Sequence, residues 1–270
     1  MSRKRGRTNP NNLLPQWTPK KRLLEDVPLE QLKPDFRTTY LDFDRGIHMG
    51  NLEPNQRITR IVRQALEDRH ATRFITDRWG RGVYWHWICW LPVESRKAKP
   101  VSNNYNFGCA KYYITLNDEP QSFEAGMQIE RASMLRGGDT VCTEDDWDYH
   151  TLVRSLRRGS PLADELSRLI REEGFTARAG PFASRRTFTA ANYRGPADVA
   201  RAAKSIPDDE WGGFQLCYVI PRNEIKGMTG DDVVAAILAV FDELVAAMNL
   251  VMTMPCLKPP PKYGAQKDGT

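Results

Sequence analysis

Between Arg73 and Arg131 the chain alternates short, ring-rich apolar runs with loops carrying Gly, Asn and Pro, a pattern that suits an antiparallel sheet. Residues 73–76, 83–91, 109–116 and 123–129 read as strands. In the last of these, Phe123, Ala125, Met127 and Ile129 fall on one face, while Glu124, Gly126, Gln128 and Glu130 fall on the other. The spacing therefore predicts one core face and one polar, solvated face. The same stretch holds Trp79, Trp85, Trp87 and Trp90 with Tyr84, Tyr112 and Tyr113. Rings in a continuous apolar strand belong to the core, so Trp87 is expected to be buried there. Trp79 stands between Asp77-Arg78 and Gly80-Arg81, which reads as a loop with little core to join and predicts an exposed contact residue.

The rest of the chain is more helical. Residues 36–43 look extended and are followed by a loop at Gly46 and Gly50. Ile58, Ile61, Val62, Ala65 and Leu66 recur at helical spacing within 55–70. Thr143 and Asp146 resemble a capping box ahead of the stripe Tyr149, Leu152, Val153 and Leu156; Ser160-Pro161 opens a second helix, stopped by Gly174. Strands are expected at 175–179 and 213–220, with a short helix from Pro196 between them. A single helix from Thr229 or Gly230 to Asn249 closes the fold. No βαβ series demands a parallel sheet. The fold class is α+β: an aromatic-rich, mainly antiparallel sheet packed by amphipathic helices, with one buried C-terminal helix.

Charge divides the chain into parts. Residues 1–22 carry seven Lys and Arg and no acid, against a net charge of +5 for the whole chain, which leaves about −2 for the remainder. This segment lacks the apolar density that would offset the entropy of ordering it. Residues 1–25 are therefore expected to be a disordered basic arm, 26–255 a single α+β domain, and 256–270 a Pro-rich flexible tail. Such an arm suits a nucleic acid or an acidic protein surface, with Leu13, Leu14 and Trp17 as anchors. No apolar segment follows the N-terminal charges, and Asp242 and Glu243 interrupt the longest apolar run. These features point away from a membrane and toward the cytoplasm. Cys89, Cys109, Cys142, Cys217 and Cys256 show neither paired nor zinc-ligand spacing and read as free thiols in a reducing compartment.

Candidate chemistry is sparse. The sequence has no H-E-x-x-H, G-x-S-x-G or P-loop pattern, and Gly80-Arg-Gly82 lacks the third glycine of a dinucleotide fingerprint. No cofactor is implied. Glu124 and Glu130 share one face of a strand, with Lys111 on the polar face of the preceding strand, and carboxylates with a lysine are the groups that hold Mg²⁺ and activate water for phosphodiester hydrolysis. Against this, residues six apart on a strand lie about 20 Å from each other. His86, inside the aromatic strand, reads as a core histidine. Arg73, Arg78, Arg81, Arg96, Lys97 and Lys99 lie around the tryptophan strands, and a sheet with exposed rings and basic rims suits unpaired bases and their phosphates. The sequence therefore points first to a nucleic-acid-associated binding or accessory protein. The alternatives are a metal-assisted phosphodiesterase, which alone would need Mg²⁺, and an interaction adaptor with a basic arm. The sequence assigns no oligomeric state.

Overall fold

The computed structural model describes residues 33–98, 108–131, 148–207 and 210–259. Within them lies one antiparallel sheet of nine strands: β1 (Leu41–Asp42), β2 (Gly46–His48), β3 (Phe74–Arg81), β4 (Tyr84–Pro92), β5 (Lys111–Asn117), β6 (Ser122–Glu130), β7 (Thr176–Pro181), β8 (Arg186–Phe188) and β9 (Gly212–Pro221). The order runs β1-β2-β4-β5-β6-β9-β7-β8, with β3 paired to the other side of β4. β9 pairs with β6 from Ser122↔Pro221 to Glu130↔Gly213, joining the second half of the chain to the aromatic strands. The α+β class expected from the sequence is the observed one.

Eight α-helices accompany the sheet among the described residues: α1 (Ile58–His70), α2 (Val93–Lys97), α3 (Asp148–Ser155), α4 (Pro161–Arg171), α5 (Pro196–Lys204), α6 (Arg222–Ile225), α7 (Gly230–Glu243) and α8 (Val245–Val251). Trp90, Tyr112 and Phe241 form the centre of the core. The Trp90 indole N–H donates to the Thr59 carbonyl on α1 at 2.9 Å, and Phe241 of α7 stacks on Tyr112 with centroids 4.4 Å apart. Two strands and two helices thus meet at one point. Asp148, fully buried at the start of α3, accepts from the Ala110 N–H at 2.7 Å and from the Thr253 N–H at 2.8 Å, tying β5 to the segment after α8.

Caps explain where the helices start. Ser160 accepts from the Ala163 N–H with Pro161 at the first helical position, and Thr229 forms a capping box with Asp232. Several elements differ from expectation. The predicted final helix is two, α7 and α8, bent by 47° at Leu244, so that both apolar faces reach the core. Among the described residues no single helix is long and apolar enough to cross a membrane. The predicted loop at Gly46 contains β2, whose Ile47 and His48 pair with Trp85 and Tyr84, while residues 38–40 form a 3₁₀ turn inside the run expected to be extended. The Thr143 cap lies outside the described residues, as do residues 1–25 and Cys142. Residues 257 and 258, assigned to a flexible tail, are held in place. Asn249 exchanges two hydrogen bonds with Leu257, and the Lys258 N–H donates to His70 Nδ1 at 3.2 Å.

That last contact makes a pH prediction. Burial, the neighbouring Arg69 charge and the Lys258 charge push the His70 pKa down to about 4. The folded state therefore prefers neutral His70. Its contribution is fully present above the ordinary value near 6.5 and is lost as pH falls toward 4, because the unfolded chain binds the proton more readily. We expect His70→Gln to remove about 2 kcal/mol of the wild-type stability difference between pH 7 and pH 4. Urea titrations of both proteins across that range check it; parallel pH curves would disprove it.

Candidate functional site

The helices cover one face of the sheet, and the pairing registers place a polar set on the other. Asp77 and Trp79 of β3 face Cys89 and Trp87 of β4; Lys111 and Tyr113 of β5 face Gln128 and Gly126 of β6; Gln128 faces Gln215 of β9, which faces Arg178 of β7. The sequence predicted this face for Glu124, Gln128 and Glu130 but expected it to be solvated. It is sealed instead, with Lys111 1% and Glu130 2% exposed.

Burial on this scale requires partners. Lys111 Nζ contacts Glu130 Oε2, and the Gln128 amide donates to Glu130 Oε1 at 2.6 Å. Gln128 Oε1 in turn accepts from the Gln215 amide at 2.6 Å and from the Trp87 indole N–H at 3.2 Å. Burial works against the Lys111 charge, yet the adjacent Glu130 carboxylate outweighs it and raises the lysine pKa. Further along β6, Glu124 is gripped by the Arg178 guanidinium through two bonds of 2.7 and 2.6 Å. Between these two ion pairs sits a small apolar cluster of Cys89, Tyr113 and Cys217, in which burial pushes the Cys217 thiol up to about 12. Gly126 is needed here, because a Cβ on it would lie 2.4 Å from the Leu216 carbonyl oxygen of β9. At the β7 end, Arg185 donates to the Gln215 side-chain oxygen and lines a cavity of about 390 Å³ with Arg178 and Glu124.

At the opposite margin, β3 and β4 form a hairpin through Gly82 and Val83, with positive φ at Gly82, as a tight two-residue turn requires. Trp79 therefore sits in an edge strand and not in a loop. It is 47% exposed, and its ring lies 5.5 Å from that of His86, which a bulge in β4 brings alongside; His86 is half-buried and not a core residue. Alternation along β3 puts Arg81 on the same face as Trp79, and Tyr84, opposite Arg81, stacks on His48 with centroids 5.1 Å apart. Arg78 points to the other face, its guanidinium 3.4 Å from the centroid of Trp85. Trp87, expected in the core, is half-buried and bonded into the polar layer.

The proposed nucleic-acid residues are thus divided. Trp79 and Arg81 share one face at the hairpin end. Arg78 stacks on the reverse face. Arg73 precedes β3 at its far end, where its carbonyl accepts from Val93, and Arg96 and Lys97 lie on α2 beside it. Lys99 lies outside the described residues. Of the three hydrolysis candidates, Lys111 and Glu130 meet directly, whereas Glu124 is held apart by Arg178. Both oxygens of each glutamate are engaged by protein donors, so a metal ion would have to displace a lysine, an arginine or a buried amide. Among the described residues no three His, Cys, Asp or Glu side chains converge on a metal position.

Sequence reasoning missed Gln215, Arg178 and Arg185. Arg178 did carry a signal, since it alternates with the core residues Ala177 and Ala179. With this geometry in hand, comparison with known proteins adds no assignment: no protein-family model matches the chain, and no curated protein matches it in sequence.

The ion pair gives a direct test of the polar layer. Lys111→Met strands a buried carboxylate and should cost about 3–5 kcal/mol, whereas Lys111→Met combined with Glu130→Gln should regain most of the loss. Denaturant unfolding of the three proteins measures both. Equal instability of the single and double variants would show that the pair is not coupled.

Proposed function

We propose that the chain is a nucleic-acid-binding protein that engages unpaired bases at the β3–β4 hairpin. The observation that supports this most is the exposed Trp79 ring on an edge strand, beside His86 and on the same face as Arg81. A base stacked on an indole gains energy without sequence preference, and a nearby guanidinium holds the adjoining phosphate. Tyr84 and His48 extend the ring surface along the hairpin, with the Arg45 guanidinium 4.4 Å from the Tyr84 centroid. In this reading residues 1–22, with their seven cations, supply long-range attraction to phosphate. A reducing, cytoplasmic setting fits the free, buried Cys89 and Cys217.

The test is fluorescence anisotropy with single-stranded oligonucleotides on the full chain. Trp79→Ala should fold normally and lose about 1–3 kcal/mol of binding. Removing residues 1–22 should weaken binding and flatten its salt dependence while leaving the melting temperature nearly unchanged. A Trp79→Ala variant that binds as tightly as wild type would overturn the assignment.

A further inference from the structure

The cavity between β6, β9 and the β7–β8 turn has the properties of a ligand site distinct from the hairpin. Its volume of about 390 Å³ falls in the range of small-molecule pockets. Two guanidiniums, Arg178 and Arg185, line it, with the Ser184 and Thr187 hydroxyls at the same wall. The two are paired unequally. Both oxygens of Glu124 are taken by Arg178, while Arg185 bonds to the neutral Gln215 and has no carboxylate partner among the described residues. Glu119 also lines the cavity, but it is exposed and its charge is solvated. Burial, and then repulsion from Arg178, lower the Arg185 pKa, so an incoming anion would relieve the arginine as well as bind to it.

The turn that carries Arg185 also supplies a ring. Phe182 lines the cavity and packs edge-on against Trp211, with centroids 4.7 Å apart, and Trp211 is 51% exposed. The Phe182 N–H donates to the Trp211 carbonyl at 3.0 Å, which fixes the two residues relative to each other. Guanidiniums, two hydroxyls and a ring lining one cavity match a phosphate ester that carries a flat aromatic group.

We propose that this cavity binds a phosphate monoester attached to a planar base, a nucleotide or the 5′-phosphorylated end of a strand, with Arg185 and Arg178 on the phosphate and Phe182, backed by Trp211, against the base. The two sources share this chemistry and are separated by competition. The inference does not depend on the hairpin reading, because its primary test contains no oligonucleotide.

The experiment is calorimetric titration of the full chain with AMP, inorganic phosphate and adenosine. AMP should saturate at one site per chain and bind more tightly than phosphate or adenosine. Arg185→Gln should weaken AMP by about tenfold or more, the value of a charge-assisted hydrogen bond. Phe182→Ala should weaken AMP while leaving inorganic phosphate unchanged. Because either variant could lose its fold, phenylglyoxal labelling of the wild-type chain, mapped by mass spectrometry, supplies a second readout: AMP should slow modification of Arg185. A 5′-phosphorylated oligonucleotide that displaces AMP where its 5′-hydroxyl counterpart does not would assign the strand end, and displacement by neither would assign the free nucleotide. The proposal is overturned by a folded wild-type chain that does not bind AMP, by adenosine binding as tightly as AMP, or by Arg185 labelling that AMP leaves unchanged.

Discussion

A buried ion pair sets the terms for this sheet. Lys111 and Glu130 sit on adjacent strands, two residues out of direct register, and both are removed from water. Desolvating two charges costs several kcal/mol each, and attraction between them offsets it only when the remaining polar atoms are also satisfied. Gln128 meets that requirement and passes it on, because its amide bonds Glu130 while its oxygen receives Gln215 and Trp87. The network therefore joins β4, β5, β6 and β9 through side chains as well as through the backbone ladder. A one-residue slip of β5 would turn Lys111 toward Tyr112's place in the helix-packed core, where no carboxylate awaits it. The polar layer thus specifies register, a task that an all-apolar second face would perform less sharply.

The same layer explains why the two margins of that face differ from its middle. In the middle, opposite charges and amides neutralise one another, leaving little for a ligand to contact. At the β3 margin the pairing ends, and Trp79 lies half-exposed beside Trp87 and His86. At the β7 margin Arg178 is paired with Glu124, and Arg185, without a carboxylate partner among the described residues, faces a cavity. Binding capacity lies where the mutual satisfaction of the layer runs out.

Much of the fold was legible because its signals are local. Period-two alternation placed Phe123–Ile129 correctly on two faces, and the caps at Ser160 and Thr229 are written in adjacent residues. What was not legible is non-local. Glu124-Gly-Gln-Glu on one strand face reads as solvated, and only pairing with Lys111, Gln215 and Arg178 from three other strands shows how it can be buried. β2 has three residues, too few to show a period, and the bend at Leu244 carries no Gly or Pro to announce it. Trp79 was expected to be exposed, but in a loop; the Gly82 turn that places it in an edge strand became evident only with the hairpin register. Arg185 sits in a turn and belongs to no periodic pattern, so nothing in its neighbourhood marks it as facing Arg178.

Geometry also separates the two margins energetically. From β3 to β7 the sheet steps across β4, β5, β6 and β9, and strands spaced about 4.8 Å apart put the sites on the order of 20 Å from each other. That exceeds twice the screening length of about 8 Å at physiological ionic strength, so charge placed at Arg185 is scarcely felt at Arg81. The intervening residues are hydrogen-bonded to one another across the face. Substitutions at the hairpin and at the cavity should accordingly act additively on stability and on binding, as expected of distant sites without shared partners. Any ligand that couples them must bridge the face physically, as a strand with its 5′-phosphate in the cavity and a base on Trp79 would do.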